Sequence, residues 1–306
     1  MPRQLLNRSA RVSSNEVLVV GATGFVGRNL VPELIERGHE VVAMTRNAST
    51  YDPPEGVSVV EADLNDRESL RGVFDGVDAA YYLVHSMGES EDFMAHDRVA
   101  ARNFVSAARG SKLSRVVYLS GLGGERVTLS DHLKSRREVE YILGTGAYDL
   151  TVLRAAIVIG GDSASFRMVR QLAERLPLMI TPRWVRTNCQ PIAIEDVVGY
   201  LVGVLDTPET AGETYEIGGP DVLTYGEMVI RTGDLLDKRA TMVPVPVLSP
   251  QLSAYWVDLV TDVPKVVAHP LILGLKTRTV VEDDRIRSLV PIELTPFDDA
   301  VRRAIA

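Results

Sequence analysis

The stretch from Val17 to Gly27 reads Val-Leu-Val-Val-Gly-Ala-Thr-Gly-Phe-Val-Gly, and it limits the fold more than any other segment. Four apolar, mostly β-branched residues make a strand buried on both faces. Glycines follow at 21, 24 and 27, and apolar residues at helical spacing come next. The first glycine permits a tight turn. The second lets backbone amides approach a diphosphate, and the third lets a helix pack close to the strand. The anion then rests at the positive end of the helix dipole. A purely structural turn is the plain alternative, but strand, turn and helix stand together in the order that diphosphate binding requires. Gly21, Thr23, Gly24, Phe25, Val26 and Gly27 are the expected contacts to a dinucleotide.

The second strand bears on the ribose. An NAD site usually places an acid about 20 residues after the glycines. Here that strand ends Met44-Thr45-Arg46-Asn47, with a guanidinium and no acid. Arg46 suits a 2′-phosphate through paired charge-assisted hydrogen bonds, which favours NADP(H) over NAD. An exposed surface arginine is the alternative. Arg28, just inside the helix, is a weaker candidate for the same phosphates.

The pattern of the first half is strand, helix, strand. Residues 17–20, 40–45, 57–60, 79–84 and 115–120 read as buried strands; 25–37, 66–74 and 93–108 read as helices. Such alternation predicts an α/β, doubly wound parallel sheet. Further along, 130–143, 165–175 and 195–205 read as helices, with strands at 149–159 and 214–217. The expected organisation is a flexible polar tail over 1–14 and a dinucleotide-binding domain over 15–160, rejoined by 188–222. A smaller substrate lobe would take 161–187 and 223–306. The stretch 242–270, rich in Pro, Val and Leu and containing Trp256, reads as an apolar part of that lobe.

Composition removes several functions. With 33 Lys and Arg against 41 Asp and Glu, the formal net charge is −8, which argues against a nucleic-acid surface. Cys189 is the single cysteine, so no internal disulfide forms, and a reducing cytoplasm is the expected setting. The polar start is unlike a signal peptide, and no apolar run reaches the roughly 18 residues of a membrane helix. His39, His85, His96 and His269 show no ligand spacing with one another or with Cys189, so no metal is expected. Tyr81 and Tyr82 read as core aromatics. Asp92, Asp97 and Arg98 read as an ordinary helix face. Monomer and homodimer stay open.

The glycine turn resembles that of the short-chain dehydrogenase/reductase superfamily, and the likeness continues along most of the chain. It implies a Rossmann fold with a smaller C-terminal substrate lobe. It also implies that Asp63 and Leu64 contact the adenine, and that Leu83, Val84 and His85 lie beside the ribose. Ser120 would stand where relatives keep an active-site serine, and Ala155 and Ala156 would face the nicotinamide amide. Segment 217–220 resembles one that closes the core before the substrate lobe, and segments 132–136, 190–194, 252–256 and 259–264 are similar to an atypical branch whose function is poorly defined. Relatives further off include sensors that bind dinucleotide without turning it over and an accessory subunit of respiratory complex I.

The superfamily's usual Tyr-x-x-x-Lys is missing. Ser130 stands four residues before Lys134, and a serine hydroxyl is too weak an acid to replace the phenol. His132 and Arg136 are also four apart and share a helix face with Val139 and Leu143. Lys134 is rotated from them by roughly 200°. His132 is the candidate proton donor. Arg136 would hold a ribose, phosphate or charged substrate oxygen, and Ser120 would donate to a substrate carbonyl. A polar helix start and a strand-end capping serine are the plain alternatives. The expected function is an NADP(H)-dependent oxidoreductase for a small carbonyl or alcohol. The competing expectation is a non-catalytic redox sensor or a respiratory-complex assembly protein. A nucleotide-sugar epimerase is disfavoured by the lost tyrosine.

Overall fold

The computed structural model describes residues 15–86, 92–123, 129–175, 178–181, 183–238, 241–244, 262 and 277–306. The polar tail, Trp256, His269 and nearly all of 242–270 lie outside the described residues.

The strand from Val17 is β1 (Glu16–Val20), buried from Val17 onward. The glycine turn leads into α1 (Phe25–Glu36) and then β2 (Glu40–Thr45) and β3 (Ser58–Glu61). β4 (Ala79–Tyr82), α2 (Phe93–Ala107), β5 (Arg115–Gly121), α3 (Asp131–Leu143) and β6 (Asp149–Ala155) complete the first half. Later come β7 (Val158–Ile159), α4 (Ala164–Arg175), β8 (Leu178–Thr181), β9 (Asn188–Cys189), β10 (Ile192–Ala193) and α5 (Ile194–Asp206). β11 (Thr214–Ile217), β12 (Leu223–Thr224), α6 (Tyr225–Leu235), β13 (Thr241–Pro244), α7 (Ile286–Leu289) and α8 (Phe297–Ile305) follow.

A seven-stranded sheet runs β11-β6-β5-β4-β1-β2-β3, every neighbouring pair parallel. The order reverses between β1 and β4, the switch point where open α/β sheets bind ligands. Helices α1 and α5 cover one face, over Val17, Val19, Tyr81 and Val117. Helices α2 and α3 cover the other, over Leu18, Val20, Tyr82 and Tyr118. Alternate residues of β1 thus feed two cores, which is why its whole run is apolar. The short pairs β7–β10, β9–β12 and β8–β13 lie outside this sheet. Beside the first two, α4, α6 and α8 share a third core around Phe166, Met228 and Phe297.

Three expectations are corrected. Residues 66–74 form no helix: the chain runs as successive turns. Gly72 has φ +76° and Gly76 φ +84°, left-handed geometry that breaks an α-helical ladder. Arg71 N–H bonds Glu68 O at 3.3 Å and Asp75 N–H bonds Gly72 O at 3.1 Å, both three residues back. The apolar spacing there reflects burial of Leu70, Val73, Phe74 and Val77 in a core, not helical periodicity. The strand over 149–159 breaks at Ala156, and Val158 restarts against Ile192. Asp97 is no ordinary surface residue. It is buried, accepting from Ser86 N–H at 2.7 Å and Ser135 Oγ at 2.8 Å.

Helices α6 and α8 had no sequence expectation. α6 starts in a capping box, with Thr224 accepting from Glu227 N–H while the Glu227 carboxylate accepts from Thr224 N–H. Asp196 accepts from Thr295 N–H at 2.8 Å, and Asp221 from Phe297 N–H at 2.8 Å, so the C-terminal segment docks on α5 and beside α6. Buried Gln190 donates to Gly219 O at 2.7 Å and accepts from Val281 N–H at 3.0 Å, joining three separate segments.

Candidate functional site

At the carboxyl ends of the central strands lies a cleft of about 580 Å³. Its middle is the glycine turn. Gly21 has φ +93°, and a Cβ there would come within 3.0 Å of Val84 Cγ1 and 3.1 Å of the Leu83 carbonyl carbon. Gly24 caps α1 without a side-chain hydrogen bond, so the first-turn amides are left for a ligand. Gly27 alone of the turn candidates does not line the cleft. A Cβ there would strike the Gly21 carbonyl oxygen and stand 2.7 Å from Ala22 Cα, so its role is close packing of helix on turn. This side-chain-free cradle fits a dinucleotide diphosphate.

Apart from Arg28, every other candidate named from the sequence lines the same cleft. On one side of the turn are Arg46, exposed at the end of β2, and Asp63 and Leu64 after β3. The Asp63 carboxylate accepts from Asn65 N–H at 2.8 Å, and Asn103 donates to Leu64 O at 2.8 Å, which holds that wall. Leu83, Val84 and His85 follow β4, Ala155 ends β6 and Ala156 comes directly after it. Arg28 reaches across to Asp162, which also lines the cleft, at 3.4 Å.

On the other side stand His132 and Arg136, brought to the cleft by α3. Ser130 caps this helix by accepting from Leu133 N–H, which puts His132 in the first turn. Val139 and Leu143 are buried below, while Lys134 is exposed and pairs with Asp131 at 2.8 Å. Burial first, then the neighbouring Arg136 charge, pushes the His132 imidazole down to about 3. The same two causes, with His132 third, hold His85 well below the ordinary imidazole value. His85 is open to the cleft, yet protein crowds the ring enough to disfavour its charged form. Both rings are therefore neutral near pH 7. A resting imidazolium at His132, the expected proton donor, does not fit this environment.

Ser120 requires a second correction. Its hydroxyl donates to Glu140 Oε1 at 2.6 Å, so its proton is committed inside the protein and not offered to a substrate carbonyl. Glu140 also binds Arg154 Nη2 at 2.6 Å and Arg137 Nη1 at 3.0 Å. Arg137 in turn donates to Gly123 O at 2.7 Å. Burial raises the Glu140 carboxyl, against the Ser120 hydrogen bond and the Arg137 charge. This network clamps α3 to β5, β6 and the loop after β5. Sequence reasoning also missed Ser163, Ala164, Ser165 and Met168 at the start of α4, and Tyr225 and Thr279, all lining the cleft. No spacing within the chain joins these segments to the glycine turn.

The family described as NAD(P)H-binding matches residues 21–180, just over half of the chain and the whole of the glycine turn. The chain belongs to the NAD(P)H-binding family. This NAD(P)H-binding chain is 25% identical to the mitochondrial NADH dehydrogenase [ubiquinone] 1 alpha subcomplex subunit 9 of Arabidopsis thaliana, over 94% of its own length and 77% of that protein's. It is 28% identical to the chloroplastic divinyl chlorophyllide a 8-vinyl-reductase of Oryza sativa subsp. indica, over 78% of its length and 63% of the relative's, less than two thirds of that protein. The solved triphenylmethane reductase of Citrobacter sp., complexed with NADP(H), superposes with a TM-score of 0.76 at 20% identity, covering 94% of this chain and 99% of that one. The fold is that of solved reductases and epimerases such as these. No described helix is long and apolar enough to cross a membrane.

Proposed function

We propose that the chain is an NADP(H)-dependent oxidoreductase that acts on a small, apolar carbonyl or alcohol, in a cytoplasmic setting. The observation that carries this reading is one continuous cleft with the open glycine turn at its middle and a polar pair, His132 and Arg136, at one end. Residues 15–160 and 188–222 hold the cofactor in this reading, and 161–187 with 223–306 form the substrate lobe. Arg46 supports NADP(H) over NAD, because a guanidinium at the ribose end matches a 2′-phosphate.

A bound dinucleotide supplies the hydride. The chain's own residues bind, orient and polarise. The α1 amides and Gly24 hold the diphosphate. Neutral His132 would donate an N–H hydrogen bond to the reacting oxygen, Arg136 would supply positive charge beside it, and the proton that completes a reduction would come from water in the cleft. The Ser120–Glu140–Arg154 network acts behind them by fixing α3. The decisive experiment titrates NADPH against NADH in the wild type and in Arg46→Ala. The wild type is expected to prefer NADPH by about tenfold or more, and the variant to lose most of that preference. Equal wild-type affinities would refute the NADP(H) assignment. Full turnover by His132→Ala on an identified substrate would remove that residue from the chemistry.

A second reading is a non-catalytic dinucleotide sensor or an assembly protein of a respiratory complex. It is supported by the lost tyrosine, by the low proton affinity of His132, and by likeness to a respiratory subunit over most of the chain. Binding indifferent to the cofactor's redox state, with a stable protein partner and no turnover, favours this reading.

A further inference from the structure

We infer that the reaction end of the cleft takes a substrate carrying a carboxylate on an otherwise apolar body, and that Arg136 is the residue that holds it. This rests on the dinucleotide reading above and narrows its substrate class.

Neighbouring arginines are matched with acids. Arg137 and Arg154 share Glu140, and Arg98 grips Glu138 through two bonds of 2.6 and 3.0 Å. Arg136, on the same helix, contacts no carboxylate among the described residues; its guanidinium donates to Tyr118 Oη at 3.5 Å. Among the described residues this half-buried guanidinium makes one long bond to a neutral partner, so most of its five donors are left to face the cleft.

The described acids lining the cleft are Asp63, Asp97 and Asp162, and each is engaged elsewhere. Asp63 holds Asn65 on the far side of the turn, Asp97 holds Ser86 and Ser135, and Asp162 pairs with Arg28. The cofactor's diphosphate is no candidate for Arg136. The helix bearing it follows β5, two strands from β1 in the sheet, or about 10 Å at the usual strand spacing. A ribose there would offer hydroxyls but no charge.

His132 beside Arg136 is neutral, with one ring N–H to donate, so among the described residues this end of the cleft offers a fixed cation and no unpaired carboxylate. Leu122, Ile157 and Met168 supply the apolar wall. A carboxylate matches the fork of a guanidinium through two parallel bonds, and an apolar body matches the wall.

The test titrates benzoate and benzamide, equal in shape and different in charge, into the full chain saturated with NADPH. Nicotinamide fluorescence is read for the wild type, Arg136→Gln, Arg136→Lys and Lys134→Gln. Benzoate is expected to bind at least about tenfold more tightly than benzamide in the wild type and in Lys134→Gln. The preference disappears in Arg136→Gln, while NADPH affinity changes by less than about threefold. If the glutamine variant does not fold, the lysine variant decides: it loses the paired geometry, so benzoate weakens several-fold and benzamide does not. The inference is overturned by equal wild-type affinities, by absent benzoate binding, or by a preference that survives either substitution intact. It is also overturned if NADPH affinity falls as steeply as benzoate affinity, which would give Arg136 to the cofactor. A wild type that fails to bind NADPH sinks the functional reading as well; one that binds NADPH but ignores benzoate's charge sinks this inference alone.

Discussion

At the level of single residues, the glycine turn tolerates no added atom where helix meets turn. Gly27→Ala would drive a methyl into the Gly21 carbonyl and the Ala22 backbone, neither of which is the flexible end of a side chain. Overpacking of this kind costs about 1–3 kcal/mol. The variant is expected to lower the urea midpoint and to weaken NADPH binding together, by displacing the amides that hold the diphosphate. His132 carries a pH prediction. Its imidazole titrates at about 3 in the folded chain against 6.5 unexposed to these neighbours, so between those values the unfolded chain binds the extra proton. Stability therefore falls as pH drops through 6.5 toward 3, on the order of 1 kcal/mol per pH unit. The His132 ring resonances are expected not to shift between pH 8 and 5. A midpoint near 6.5 would show that its ring is solvated and would restore it as a resting acid.

At the level of elements, Asp97 anchors α2 to α3 and to the chain leaving β4 with one buried carboxylate. Asp97→Ala leaves Ser86 N–H and Ser135 Oγ without their acceptor, at a cost of about 1–3 kcal/mol for each buried group stranded. Urea unfolding should show the loss, and the segment 83–86 should gain amide exchange; an unchanged midpoint would mean water replaces the carboxylate. The same residue shows where sequence reading stopped. β1, α1, β2 and α3 were legible because burial and backbone geometry there follow local period: four apolar residues, glycines three apart, His132 and Arg136 four apart. Residues 66–74 misled because Leu70, Val73 and Phe74 fit a helical stripe, while Gly72 closes that conformation off. Asp97, Glu140 and Ser120 are tied by bonds spanning 38 and 20 residues, and no local pattern encodes such pairings. The fold and the cofactor cradle were readable for the first reason; which way the Ser120 proton points was not, for the second.

For the whole molecule, the cleft draws on β1, β4, β5, β6, α1, α3 and α4, so occupancy should be felt by the entire domain. At a hundredfold excess over its dissociation constant, NADPH is expected to stabilise the folded chain by about 2.7 kcal/mol. A thermal scan with and without NADPH measures this, and an unshifted transition would mean that the cradle does not bind dinucleotide. Arg136 and Arg137 are adjacent in the chain yet face different company, one the cleft and the other Glu140. One residue deleted ahead of α3 would turn the helix by about 100°, setting Arg137 in the place of Arg136 and Glu138 in the place of Arg137. Composition, charge and helix length would be nearly untouched, and the site would go silent. In this protein the phase of one helix carries information that no residue inventory preserves.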